Sequence, residues 1–290
     1  MKTFIDIAIP IGVFYLMFIV GLELTRNDFR KVFLNPRLIV IATILQFILI
    51  PIIGVVLVQL MKPSPQVLAG VLLVAACPGG GISNYYTYLA RANTALSVTL
   101  TTASCLAAIL TIPICMEGFT LYLSEQFIIK IPFAKLIAQL LLLVVLPVIV
   151  GMKVRRLYPD MKERYESALR YVSIIAFVIL IGFVVYKERA NIPADFSDTA
   201  FASVAFTIIT MILGFGVGWI MGLSASDRFT LLIEFAVRNL AIATAISVGI
   251  FHDLGFAVFA TVYFLVQVPI IIAAIFLFRR FQSMRYAFPP

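Results

Sequence analysis

Residues 76–102 read ACPGGGISNYYTYLARANTALSVTLTT and interrupt a chain otherwise built of long apolar runs. Pro78 removes a backbone donor, and Gly79, Gly80 and Gly81 bring no side chain to support a helical turn. A helix arriving at Ala76 is therefore expected to stop there. The surrounding composition gives that stop its meaning. Of 290 residues, 62% are hydrophobic and 12% charged, where soluble domains hold roughly 45–50% and about 25%. This is the composition of an all-α polytopic membrane protein. In hydrocarbon, non-helical backbone persists only where protein or a water-filled cavity satisfies its freed polar groups. Ser83 and Asn84 follow the break directly, and Ser97 and Thr101 come shortly after, four residues apart. A broken membrane segment with oxygen-bearing side chains beside the break reads as a binding site.

Working outward, nine apolar runs are expected to span the bilayer, at about 4–21, 38–60, 66–90, 94–116, 131–151, 171–186, 200–222, 229–250 and 254–278. A span needs roughly 20 apolar residues. The first run reads as a retained span, because Gly21-Leu22-Glu23 leads into a charged loop with no small-residue cleavage site. The formal charge of +8 sits in short loops between the runs and on no single face, which argues against nucleic acid. With the N-terminus outside, the inner loops hold Arg26, Arg30, Lys31, Arg37, Arg91, Lys153, Arg155, Arg156, Lys162, Arg164, Arg170, Arg228, Arg279, Arg280 and Arg285. The outer side holds Lys2, Lys62, Lys130, Lys135, Lys187 and Arg189. The positive-inside rule then places the N-terminus outside and the C-terminus in the cytoplasm.

The eighth run carries Glu234, Arg238 and Asn239 in mid-span, five spans after the broken third. An odd offset means that the two unusual segments cross in opposite directions. Unusual polar segments at matching places in two halves point to an inverted-repeat transporter. On that reading residues 1–290 form one transmembrane transporter domain. Residues 1–130 are a first repeat lacking its opening helix, and 131–290 are the second.

A charge at the bilayer centre costs about 2.5–3.5 kcal/mol on insertion scales, so Glu234 and Arg238 stand out. Four residues apart, they face one another if the helix is continuous; the pair then either cancels its own charge or forms an ion site. Ser97 and Thr101 share one helix face, although such residues commonly bond back to their own helix. With Ser83, Asn84 and Glu234 they offer hydroxyl, amide and carboxylate oxygens, the ligands of a hard cation. One carboxylate among neutral oxygens suits a monovalent ion, and sodium is the expected one. Cys77, Cys105 and Cys115 show no ligand or disulfide spacing, and His252 has no partner at a catalytic spacing. The chain shows no Ser/His pair, no pair of intramembrane aspartates and no HExxH, so it reads as a non-enzyme. A sensor is disfavoured because only twelve residues follow the last span.

Several elements together resemble the bile acid:sodium symporter family, within the wider group of bile, arsenite and auxin-type carriers. They are Gly21-Leu22-Glu23-Leu24, Gln46-Phe47 with Pro51, Cys77-Pro78-Gly79-Gly80 with Ser83-Asn84, Ala95-Leu96-Ser97-Val98, and Glu234 with Asn239. The resemblance covers essentially the whole chain and is that of a bacterial homologue of the apical and hepatic bile acid transporters. It implies a panel domain and a core domain, with the third and eighth spans broken and crossing in the core. It implies sodium-coupled transport of an organic anion by alternating access across a bacterial inner (cell) membrane. The anion would be bile-acid-like or a small carboxylate such as pantoate. The lipid bilayer is the other partner, with no obligate protein partner.

The first sodium site of the family resembles Ser83, Asn84, Ser97, Thr101 and Glu234. The second resembles Gln46, Glu234, and the backbone at Phe235 and Val237, with a glutamine where this chain has Arg238. A guanidinium carries only donors and a permanent charge, so it cannot ligate a cation. Arg238 is therefore expected to replace the second sodium, pairing with Glu234 and Gln46, and transport would use a single sodium ion or none. The alternatives are an arginine turned outward or one that binds the substrate anion. Gly79, Gly80, Gly81, Asn84 and Asn239 would line the substrate pocket, with Tyr85 and Tyr86 as wall or packing residues. Helix N-termini at a break favour an anion there. Gly81 stands where family members often carry a hydroxyl.

Overall fold

The computed structural model describes residues 2–23, 36–122, 133–158, 192–251 and 253–287, with scattered positions between 168 and 186. These residues form helices α1 (Lys2–Glu23), α2 (Pro36–Met61), α3 (Pro65–Ala76), α4 (Ile82–Leu89), α5 (Thr94–Tyr122), α6 (Phe133–Leu157), α7 (Ile192–Ile220), α8 (Ala225–Ala236), α9 (Leu240–Gly249) and α10 (Gly255–Ala287). The protein is an all-helical, polytopic membrane protein. Among the described residues five helices, α2, α5, α6, α7 and α10, hold stretches long and apolar enough to cross a bilayer. On α2 the exposed Ile44, Ile48, Ile52 and Val56 recur every four residues and form a lipid-facing stripe, while Gln46, Phe47, Ile50 and Gly54 turn inward.

Each expected run except that at 171–186 corresponds to a described helix, and the runs at 66–90 and 229–250 each resolve into two. In the run at 171–186, positions 173, 174, 176, 177, 180, 181 and 184 lie outside the described residues. So do Leu24, His252 and the basic positions Arg26, Arg30, Lys31, Lys130, Lys162, Arg164, Arg170, Lys187 and Arg189. Within α6, Leu141–Val145 form a π-helical turn directly before Leu146 and Pro147, where the wider turn accommodates a ring that offers no backbone donor.

Small residues set the closest helix contacts. A Cβ on Gly21 of α1 would lie 2.3 Å from the Val148 carbonyl oxygen of α6, and one on Gly151 would lie 2.3 Å from the Phe18 carbonyl oxygen. Such approach favours association in lipid, where no hydrophobic effect drives helices together. Elsewhere α3 packs on α2 and α10, and α7 packs on α8 and α10. Every residue from Val67 to Ala76 on α3 and from Leu240 to Val248 on α9 is buried. Helices apolar all round belong in the interior of a bundle, and this puts both breaks at the centre of the protein.

Candidate functional site

The two breaks satisfy one another. The backbone leaves helical geometry at Cys77 (φ −67°, ψ 153°) and at Val237 (φ −91°, ψ 102°). The extended residues then pair antiparallel, with Gly79 opposite Arg238. Gly80 N donates to the Val237 carbonyl and Asn239 N to the Pro78 carbonyl, each at 2.9 Å. Gly80 is required for this approach, because a Cβ there would lie 2.7 Å from the Arg238 carbonyl oxygen. Gly79 N finds the Ser104 hydroxyl at 3.2 Å, and that hydroxyl donates to the Thr101 carbonyl at 3.0 Å. These backbone groups freed by the breaks are thus paired inside the protein, as hydrocarbon demands.

Beside this pairing, Glu234 of α8 carries a carboxylate whose residue is 1% exposed. Its Oε1 accepts from the Ser83 hydroxyl of α4 at 2.5 Å, from Thr101 of α5 at 3.2 Å, and from the Ser97 hydroxyl. Thr101 also reaches Oε2 at 3.0 Å. Asn84 joins through its amide oxygen, which lies 2.8 Å from the Ser97 hydroxyl and competes with the carboxylate for its one proton. The five residues expected to form an ion site come from three helices and meet around one buried charge. Charge-assisted bonds of this kind are roughly twice as strong as neutral ones. The donor set, one carboxylate with hydroxyl and amide oxygens, is the chemistry of a hard monovalent cation.

Gln46 reaches the same place from α2, its Nε2 donating to the Glu234 backbone carbonyl at 3.0 Å. The Val237 carbonyl is occupied by Gly80 N. Arg238 does not face Glu234 as a helical pair, because α8 ends at Ala236 and the four-residue register no longer applies. Its Nη2 donates to the Cys77 carbonyl, while Nε and Nη1 are buried without a hydrogen-bond partner. The side chain is 1% exposed, so it stays inside the crossing and does not turn outward. Glu234, Cys77, Cys105 and Tyr263 are its electrostatic neighbours.

The residues expected around a substrate are mostly engaged in shaping the breaks. Asn239 caps α9, its Oδ1 accepting from Ile242 N at 3.2 Å, and its Nδ2 lies 4.0 Å from the Met17 sulfur of α1. At the other break Ser83 N and Asn84 N turn back to the Gly80 and Gly81 carbonyls. Gly81 has room: a Cβ would meet Val20 at an ordinary 3.6 Å. Tyr86 is buried among Ala90, Phe229, Ile233 and Ile271, a packing role, whereas Tyr85 is exposed. Cys77, Cys105 and Cys115 are free thiols.

Two residues at the crossing escaped the sequence reading. Ser104 was visible in principle, since it lies seven residues after Ser97 and three after Thr101 on one face of α5. Tyr263 was not. Its hydroxyl donates to the carbonyl of Ala236, the last residue of α8, from 27 positions away, and no local pattern marks that contact.

Residues 10–195 match the model of the Sodium Bile acid symporter family. The chain belongs to that family. Among relatives of this family member is an uncharacterized sodium-dependent transporter, YocS, of Bacillus subtilis (strain 168). It is 29% identical over 253 residues, covering 87% of this chain and 77% of that one. A probable sodium/metabolite cotransporter, BASS2, chloroplastic, of Oryza sativa subsp. japonica is 34% identical over 157 residues, covering 54% and 36%. The ileal sodium/bile acid cotransporter of Oryctolagus cuniculus is 33% identical over 144 residues, covering 50% and 41%. The family member thus spans most of the Bacillus protein but well under two thirds of the rice and rabbit proteins.

Proposed function

We propose that this family member is a secondary active transporter that couples one sodium ion to the movement of an organic anion. The observation that carries the reading is the buried Glu234 carboxylate, met by hydroxyls from α4 and α5. Each hydroxyl that donates to the carboxylate also has lone pairs that can turn to a cation, so Ser83, Ser97, Thr101, Asn84 and Glu234 can hold sodium with little rearrangement. The names of the relatives, sodium-dependent transporter and sodium/bile acid cotransporter among them, support the same ion. Arg238 stands in the second cation position as a permanent charge, its guanidinium held on the Cys77 carbonyl, so a second sodium is not needed. The cargo is a bile-acid-like anion or a small carboxylate such as pantoate, received near Gly79, Gly80, Gly81, Asn84 and Asn239.

The architecture proposed with this function has nine spans in two inverted repeats, 1–130 and 131–290. The α1–α6 pair belongs to a panel against which the helices carrying the breaks move in alternating access. The protein sits in a bacterial cell membrane with its N-terminus outside and its C-terminus in the cytoplasm, and works without an obligate protein partner. The test is uptake of a panel of labelled organic anions by proteoliposomes over a range of sodium concentrations. First-order, saturable sodium stimulation is expected. Uptake indifferent to sodium would make this a sodium-independent carrier, and second-order dependence would remove the role given to Arg238. The two unpartnered nitrogens of Arg238 support a second reading, in which they receive the carboxylate of the cargo. Arg238→Gln would then raise the substrate KM and leave the sodium order unchanged.

A further inference from the structure

We propose that Gln139 of α6 is a latch that holds α9 against the α1–α6 pair and keeps the path to the crossing shut on the face where α9 ends. The inference rests on the alternating access proposed above. Gln139 Nε2 donates to the Ala245 carbonyl of α9 at 2.9 Å, from 106 positions away. The fit depends on a glycine one turn further along α9. A Cβ on Gly249 would fall on Gln139 Nε2 and lie 2.9 Å from its Cδ, so the carboxamide fills the space that the missing side chain leaves.

Helix α6 is built in two parts that hold different neighbours. Leu146–Leu157 packs on α1, where Gly21 and Gly151 bring the two backbones together. Phe133–Leu140, which carries Gln139, packs instead on α5 and α9. Between them lies the π-helical turn Leu141–Val145, with Pro147 directly behind it. A π-turn and a proline are places where a helix bends, so the half with Gln139 is hinged on the half that stays on α1. The two arms of the crossing are also gripped unequally. α9 packs on α1 as well as on α6, whereas α4 packs on α5, α8 and α10 and leaves Ile82, Tyr85 and Tyr88 exposed. Since α8 runs on into α9 through the crossing, α9 ends on the face opposite the start of α8. The α1–α6 pair therefore seals that face, and entry from it requires α9 to leave Gln139. One hydrogen bond between membrane helices shifts a population only a few-fold, which suits a latch that opens in every cycle.

The test is the rate at which a membrane-impermeant maleimide, added to oriented proteoliposomes from the face where α9 ends, modifies an Ala245→Cys reporter. Ala245 is buried, and the substitution leaves its backbone carbonyl in place. The same proteins without the reporter give the background from Cys77, Cys105 and Cys115. Gln139→Met keeps the length of the side chain and removes its donor; labelling of the reporter should rise about threefold, the typical worth of one such bond. Gly249→Ala keeps the glutamine but displaces its carboxamide, and should raise labelling equally. The two changes together should raise it no further than either alone, because both open one latch. A Gln139→Met protein labelled at the wild-type rate overturns the proposal. So does a double variant whose effects multiply, since the helices would then merely be loosened. The readout needs no transport, so a wild type that moves no anion but keeps this labelling pattern is a failure of the transporter reading alone.

Discussion

Replacing Gly80 by alanine puts the paired breaks to their most direct test. The new Cβ would lie 2.7 Å from the Arg238 carbonyl oxygen, 3.0 Å from its carbon and 3.3 Å from Asn239 N, all backbone atoms with no rotamer to yield. Ordinary contact between heavy atoms begins at about 3.5 Å, so the two extended stretches must part by several tenths of an ångström. The bonds from Gly80 N to Val237 and from Asn239 N to Pro78, both 2.9 Å, then stretch past useful geometry. A buried polar group left without a partner costs about 1–3 kcal/mol, which for two bonds comes to roughly 2–6 kcal/mol. Gly81 is the control. Its φ of −55° suits any residue, and its Cβ meets only Val20 at 3.6 Å, so Gly81→Ala should change stability by no more than about 0.5 kcal/mol. Thermal unfolding in detergent reads the difference. At roughly 2 °C or more per kcal/mol, Gly80→Ala should unfold at least about 4 °C below the wild type and Gly81→Ala beside it. A Gly80→Ala protein that unfolds with the wild type, or a Gly81→Ala protein that falls as far, would refute the argument from close backbone approach.

Three further outcomes follow from the same geometry. Glu234→Gln keeps size and removes the charge on which three hydroxyls converge; sodium-stimulated uptake should fall at least about tenfold, while uptake that keeps its sodium response would remove Glu234 from the site. Arg238→Gln trades permanent donors for a side chain with an acceptor oxygen, and sodium dependence should steepen from first towards second order in a concentration series. Ser104→Ala leaves Gly79 N without its partner in the buried break and should cost about 1–3 kcal/mol in thermal unfolding, whereas Ser104→Thr, which keeps the hydroxyl, should cost much less.

Much of the site could be read from residue order because its chemistry is unusual for its surroundings. Carboxylates, amides and consecutive glycines are costly inside apolar runs, so Ser83, Asn84, Ser97, Thr101 and Glu234 stand out without any knowledge of what they touch. The reading of Glu234 and Arg238 as a helical pair failed for a local reason. It assumed that α8 continues through residue 238, whereas Val237 is extended and the guanidinium turns to Cys77. Only the first break carries a strong composition signal. The second, between Ala236 and Leu240, has no glycine or proline, and its extended form is stabilised by residues 78–80 across the pair.

By itself the sequence determined that this is a membrane protein of many apolar helices, interrupted at Pro78 and charged at Glu234. Hydropathy and the conformational limits of proline and glycine act locally and need no partner to be read. Tertiary structure alone decided how the interruption is resolved. Two extended breaks more than 150 residues apart exchange the hydrogen bonds each lacks. Ser104 and Tyr263 hold their edges, and two helices deliver hydroxyls to a single carboxylate on a third. Those facts depend on which backbone groups meet in space, and in hydrocarbon an unpaired group is too costly to leave the meeting unmade.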